Sequence, residues 1–226
     1  MATTPDPSAA QSAALLRTRR SAVRRLADRG RYDAATVHAI LDEAYIAHVG
    51  FVVDAEPRVL PMTYGRIGDA LYLHGAAGNA MLRALVDAPV CVTVTILDGL
   101  VLARSAFHHS MNYRSVVLFG IAARVEDTDE QRSAFDAIVE HSVRGRSAVA
   151  RPPTASELRA TSLLRVPIHE GAAKVRTGGP NDDEDDLDLP VWAGQVPLRL
   201  VAGEPIAEAA QAGRSLAPPA ISALTR

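Results

Sequence analysis

The feature that most constrains this chain is a run of short β-prone segments. Between Tyr45 and Asp127 six stretches rich in Val, Leu, Ile and Thr follow one another: "YIAHVGFVVD", "RVLPMTYG", "ALYLHG", "VCVTVTIL", "LVLARSAF" and "YRSVVLFGIAARVED". Turn signals separate them at Glu56-Pro57, Gly68-Asp69 and Asp98-Gly99, the last an Asp-Gly hairpin signature between two apolar runs. Only one helical insertion, "GNAMLRALVDAP", interrupts the series. Strands this close leave no room for the crossover helices of a parallel sheet. The pattern therefore predicts a mainly β chain with peripheral helices (α+β), its sheet antiparallel and closed toward a barrel.

The flanks supply the helices. Asp33 reads as an N-cap, and Val37, Ile40, Leu41 and Ala44 then recur at helical spacing, predicting a helix over about Ala34 to Ala44. Thr128 with Gln131 and Thr154 with Glu157 read as capping boxes of two further helices, the first running to about Ser142. Two later segments, "LLRVPIHEGAAKVRTG" and "PVWAGQVPLRLVAG", read as one strand each, with "NDDEDDLD" (181–188) an exposed acidic loop between them. Residues 1–14 lack periodicity and are expected to be disordered, and 204–226 form a C-terminal tail without clear pattern, around one domain spanning 15–203.

Composition narrows the function. The chain is 48% hydrophobic and has a single cysteine, Cys91, so an internal disulfide and a cysteine-based zinc site are both excluded. No apolar run is long enough for a membrane helix and no leader pattern opens the chain, so a cytoplasmic protein is expected, with no membrane partner. Seven arginines against Asp28 lie between Arg17 and Arg31. No aromatics interleave with them, and the segment reads as a solvated helix face with no nucleic-acid partner. Lys174 is the only lysine, so any phosphate must be held by arginines, hydroxyls or backbone amides. There is no Walker loop, no G-x-G-x-x-G and no G-x-S-x-G. His108 and His109 are adjacent; in a strand they would face opposite sides, so no metal site is assigned.

What remains is polar chemistry at strand ends. Pro61 cannot donate to a sheet ladder and marks an edge or a bulge in the strand that also holds Arg58, Thr63 and Tyr64. His74 ends an alternating strand ahead of Gly75 and Gly78, and its ring is expected at a pocket mouth beside Thr63 or Tyr64. "FHHSMNYRSVVLFG" gathers imidazole, hydroxyl, amide, phenol and guanidinium groups before an apolar strand.

The segments "RVLPMTYGRIGDALYLHGAAGNAMLRAL", "VCVTVTILDGLVLARSAFHHSMNYRSVVLFG" and "AAKVRTGGPNDDEDDLDLPVWAGQVPL" resemble the flavin-nucleotide-binding proteins of the pyridoxamine 5'-phosphate oxidase-like superfamily. Within it they resemble the group with the nitroimidazole-resistance (Nim-type) proteins, over about Tyr32 to Val201. The resemblance implies a split β-barrel that forms a homodimer, with FMN in a groove at the dimer interface. It places Arg58, Pro61, Met62, Thr63 and Tyr64 along the flavin ring and ribityl chain. Asn79, Ala80 and Met81 fall at the FMN phosphate, and Tyr113, Arg114, Ser115 and Val116 complete the flavin site. His74 matches a histidine facing the active site and is the catalytic candidate. Many relatives carry Arg or Lys where this chain has Ala80 and Met81, which shifts the phosphate onto Arg58, Arg83 and backbone amides.

Two functions stay open on this reading. One is an FMN-dependent oxidoreductase acting on a small molecule such as a nitro compound, with His74 orienting or protonating it. The other is a non-catalytic protein that holds flavin, deazaflavin or haem, the last through His108 or His109. Pyridoxamine phosphate itself is not expected as the substrate, because the C-terminal Arg and His motif of that enzyme has no clear counterpart.

Overall fold

A computed structural model of the chain describes residues 14–209 and 218. Most of the two tails expected from the sequence lies outside the described residues. In chain order the elements are β1 (Gly30–Arg31), α1 (Ala34–Glu43), β2 (Ala47–Val53), β3 (Glu56–Met62), β4 (Tyr64–Ile67), β5 (Ala70–Ala76), α2 (Ala80–Leu85), β6 (Pro89–Leu102), β7 (Ser110–Ile121), β8 (Ala123–Arg124), α3 (Thr128–Ser142), α4 (Ala155–Ala160), β9 (Thr161–Pro167), β10 (Glu170–Arg176) and β11 (Gly194–Pro197).

Every pairing between these strands is antiparallel. One sheet runs β1-β10-β7-β6-β2-β3, with β11 on the far end of β6; the other runs β4-β5-β9-β8. Together they form the antiparallel barrel that the strand spacing predicted, split between two sheets as the resemblance implied. Its interior alternates with the pleat, so Val49, Leu71, Leu73, Val92, Val94, Val116, Leu118, Leu164 and Val166 are all buried. Helix α1 plugs this core with Val37, Ile40 and Leu41, and α2 adds Leu82 and Leu85. A second cluster, Tyr72, Val125, Ala134, Ile138 and Leu163, glues α3 to the outer face of the smaller sheet. Helix α3 comes close to β4 at Gly65, where a Cβ would lie 2.6 Å from the Ile138 nitrogen, so any side chain there would push α3 away.

Three strand assignments are corrected. "RVLPMTYG" is not one strand: it breaks at Thr63, leaving β3 in the large sheet and β4 in the small one. "LLRVPIHEGAAKVRTG" likewise divides into β9 and β10, one in each sheet. Period-two alternation runs straight across both breaks, so it reports burial and not the change of sheet. Asp98-Gly99, by contrast, is not a hairpin: β6 continues through it with a bulge between Leu97 and Gly99. Glycine is needed there because β11 crosses closely, the Val196 carbonyl oxygen lying 3.0 Å from where a Cβ would sit.

The caps were legible with one exception. Asp33 accepts from the Thr36 amide, and Thr154 with Glu157 forms the expected capping box. Helix α3 is capped by Asp127, which accepts from the Glu130 amide at 2.8 Å, and not by Thr128, the first helical residue. The arginine-rich segment is no helix face: it holds turns, a short 3-10 helix at Ala27–Arg29 and β1. Cross-chain contacts override its helical composition. Leu15 is buried, the Leu16 amide donates to His169 O at 2.8 Å, Arg20 pairs with Glu170, and its guanidinium lies 4.8 Å from the centre of the Phe119 ring.

Candidate functional site

The structure distributes the candidate residues over three places. The first is an open cleft of about 790 Å³ at one end of the larger sheet. The last residue of α1 and the loop after it (Glu43 to Ile46), His48 of β2, residues 95–98 of β6, Arg114 of β7 and the C-terminal segment 197–201 line it. His48 alternates with the fully buried Ala47 and Val49 and stands opposite both Pro61 and Thr93, so its ring is on the outer face. It makes no hydrogen bond or ion pair with the described residues. Ile46, Leu97, Leu200 and Val201 make the cleft walls apolar, and Arg199 adds a guanidinium that likewise has no described partner.

Arg114 belongs to the same cleft but is committed within the protein. Its Nε and Nη2 donate to Asp98 at 2.9 and 2.7 Å, and Nη2 donates to Glu43 at 2.7 Å, with Nη1 on the other Glu43 oxygen. Its hydrogen bonds to both carboxylates raise its pKa further, and four of its five N–H groups are used. Its neighbours in the "YRSV" run divide by alternation: Tyr113 and Ser115 are on the outer face, whereas Val116 is fully buried in the barrel.

The second place is where β3, β5 and α2 end. Pro61 lies on β3, which is the edge of its sheet, as a strand proline requires. Arg58 pairs with Glu56 at 2.9 Å on that edge. Met62 is half-buried against the core and Thr63 is exposed at the sheet change. Tyr64 is fully buried, its hydroxyl within reach of Leu41 O and Ala44 O at 2.5 and 3.0 Å, and its ring is 4.2 Å from that of His141. Asn79 caps α2 by accepting from the Met81 amide at 2.9 Å, Ala80 is exposed, and Arg83 donates to Gly78 O at 2.8 Å.

His74 is not beside Tyr64. Tyr64 is paired with Leu73, so alternation turns the next residue to the opposite face, under α3, where its ring is 6.5 Å from Phe135. Its Nδ1 is buried without a hydrogen-bond partner, and burial lowers its pKa, which favours the neutral imidazole at pH 7. His108 and His109 are not in a strand but at the end of a 3-10 turn. His108 is 3.2 Å from Asp183, and His109 Nδ1 is 2.9 Å from Ser105 O. Among the described residues no three His, Cys, Asp or Glu side chains are grouped to hold a metal ion.

The third place was missed from the sequence. A cleft of about 470 Å³ opens between β8–β9 and the helices α3 and α4, and Arg124, Arg132 and Arg159 line it. These arginines come from three separate elements and carry no common motif; His48 was likewise passed over as an ordinary strand position.

Comparison with curated proteins gives no match. Residues 33–175 match the family described as Pyridoxamine 5'-phosphate oxidase. Among solved structures, the flavocytochrome Anf3 from Azotobacter vinelandii is 36% identical with a TM-score of 0.84, covering 92% of this chain and 97% of its own. A FAD and haem binding protein from Mycobacterium smegmatis is also 36% identical, with a TM-score of 0.82 over 87% and 97% of the two chains. A 5-nitroimidazole antibiotic resistance protein candidate from Bacteroides thetaiotaomicron is 26% identical, with a TM-score of 0.54 over 65% and 86%. A profile match over well more than half of the chain, and an agreeing split barrel, establish that this chain belongs to the pyridoxamine 5'-phosphate oxidase family.

Proposed function

We propose that the chain is a flavin-dependent redox protein that also holds a haem. The carrying observation is its 36% identity, over nearly its whole length, to two proteins named as a flavocytochrome and as a FAD and haem binding protein. The residues present suit both groups. Pro61 to Thr63, Asn79 to Met81, Tyr113 and Ser115 are the positions assigned to the flavin, FMN or its dinucleotide. The first cleft offers what a haem requires: apolar walls, a cation for the propionates in Arg199, and an imidazole without another partner in His48. His108 and His109, the earlier haem candidates, are occupied with Asp183 and Ser105 O. When bound, these groups would supply the electron-transfer chemistry that the side chains lack. The chain's own residues would orient them, and His74, the catalytic candidate, is a neutral imidazole under α3 on the strand that leads into the Asn79 to Met81 segment.

Likeness to the Bacteroides protein supports a nitro compound as acceptor. A homodimer completes the reading, because the outer face of the large sheet leaves Val52 and Val59 more than 60% exposed on adjacent strands. Purified protein should show both flavin and Soret bands, and light scattering should give a dimer. His48→Ala should lose at least about tenfold in haem content while keeping its flavin. Protein that neither copurifies with nor takes up flavin or haem contradicts the proposal.

A further inference from the structure

Most carboxylate-paired arginines here sit where the fold needs them: Arg66 on Asp42, Arg104 on Asp182, Arg114 on Glu43 and Asp98, Arg151 on Glu157. The third cleft is different. Arg124 and Arg159 make no hydrogen bond or ion pair with the described residues, and Arg132 reaches only Pro153 O at 3.4 Å. Against three guanidiniums the lining holds a single carboxylate, Glu126. Val125, Leu158 and Leu163 add an apolar wall, and the hydroxyl of Ser162, also in the lining, is buried without a partner.

Position makes the surplus charge informative. The strand that floors the cleft, β9, pairs Ser162 with Gly75 and Thr161 with Ala76, and the Ala77 amide donates to Ala160 O at 2.9 Å. The cleft therefore abuts the turn from β5 into α2, the segment assigned to the flavin phosphate. That segment, Asn79 to Met81, carries no cation of its own. Arg83, the nearest cation on α2, donates to Gly78 O.

Resting on the flavin reading above, we propose that the Arg124–Arg132–Arg159 cleft receives the distal phosphate and adenosine of a flavin adenine dinucleotide, and so selects FAD over FMN. Guanidiniums bind phosphate oxygens in a fork and stack on planar bases, and the apolar wall would face the adenine. Cations absent beside the proximal phosphate are thus supplied one strand pairing away, where only the dinucleotide reaches.

The test is a titration of cofactor-stripped full chain with FAD, FMN and ADP, followed by flavin fluorescence and, for ADP, by competition. Wild type should bind FAD at least about tenfold more tightly than FMN, with ADP displacing FAD. The triple variant Arg124→Gln/Arg132→Gln/Arg159→Gln should weaken FAD by roughly thirtyfold or more and FMN by less than about threefold, abolishing the preference. All three side chains are exposed, so thermal unfolding should confirm an intact fold, and Arg159→Gln alone should give a partial version of the same shift. If wild type binds flavin without preferring FAD, or the triple variant keeps the preference, the arginine assignment is overturned while the flavin reading stands. If wild type binds no flavin at all, the flavin reading falls and this inference with it.

Discussion

Two clefts of this barrel treat arginine in opposite ways. At the open end of the large sheet, Arg114 is held by Glu43 and Asp98, and its charge is cancelled inside the protein. Between α3, α4 and the small sheet, Arg124, Arg132 and Arg159 are left facing a cavity with one carboxylate among the lining residues. A cleft whose central arginine is neutralised keeps only Arg199 at its rim for an anion and otherwise discriminates by shape and apolar contact, whereas an uncompensated one discriminates by charge. An arginine that tethers α1 to β6 and β7 should accordingly contribute to stability, and one that faces a cavity should contribute to binding.

The largest expected effect is at Arg114. Its removal leaves two carboxylates facing each other without their cation at the end of α1, and Arg114→Ala should destabilise the fold by about 2 to 3 kcal/mol in denaturant unfolding. A loss below about 0.5 kcal/mol would break the comparison.

Asp182 sharpens it. The acidic run was expected to be an exposed loop, but the Asp182 side chain is only 1% exposed. It accepts from the Arg104 amide at 3.0 Å and from its guanidinium at 2.9 Å. Asp182→Ala should lower the melting temperature by roughly a few degrees, whereas Ser at Asp185, Asp186 and Asp188 together should hardly move it.

A smaller, pH-dependent effect is expected at the N-terminal segment. The Arg20 guanidinium, with the Thr18 hydroxyl, holds the Glu170 carboxyl down at about 2 from its ordinary 4.5. A carboxyl depressed by folding stabilises the native state above its unfolded value, and that stabilisation disappears as pH falls from 4.5 toward 2. Melting temperature should therefore drop across that window, and Arg20→Ala should flatten part of the drop. An unchanged profile in the variant would show that Arg20 does not hold this carboxylate. The smallest effect is expected for Arg159→Gln on stability, within about 0.5 kcal/mol of wild type in the absence of cofactor.

Much of the architecture could be read without coordinates, because strand alternation, Asp33, and the Thr154 and Glu157 box are local signals. A strand proline at an edge was legible for the same reason: the missing N–H is a property of Pro61 itself. Other residues needed the third dimension. His74 was assigned to a pocket mouth from its place at a strand end, yet the face it occupies depends on which residue stands across from Tyr64, and that pairing is non-local. Thr63 and the Ile168–His169 corner carry no special turn chemistry; only the assembled sheets show that the chain changes layer there.

By itself, then, the sequence determined an antiparallel barrel with peripheral helices and its resemblance to a flavin-binding family, since hydrophobic period, caps and motifs act within a few residues. Tertiary structure alone decided which charges are neutralised and which face a cavity. Glu43, Asp98 and Arg114 meet from three elements, as do Arg124, Arg132 and Arg159 from theirs, and electrostatic pairing depends on distances in space that no spacing along the chain encodes.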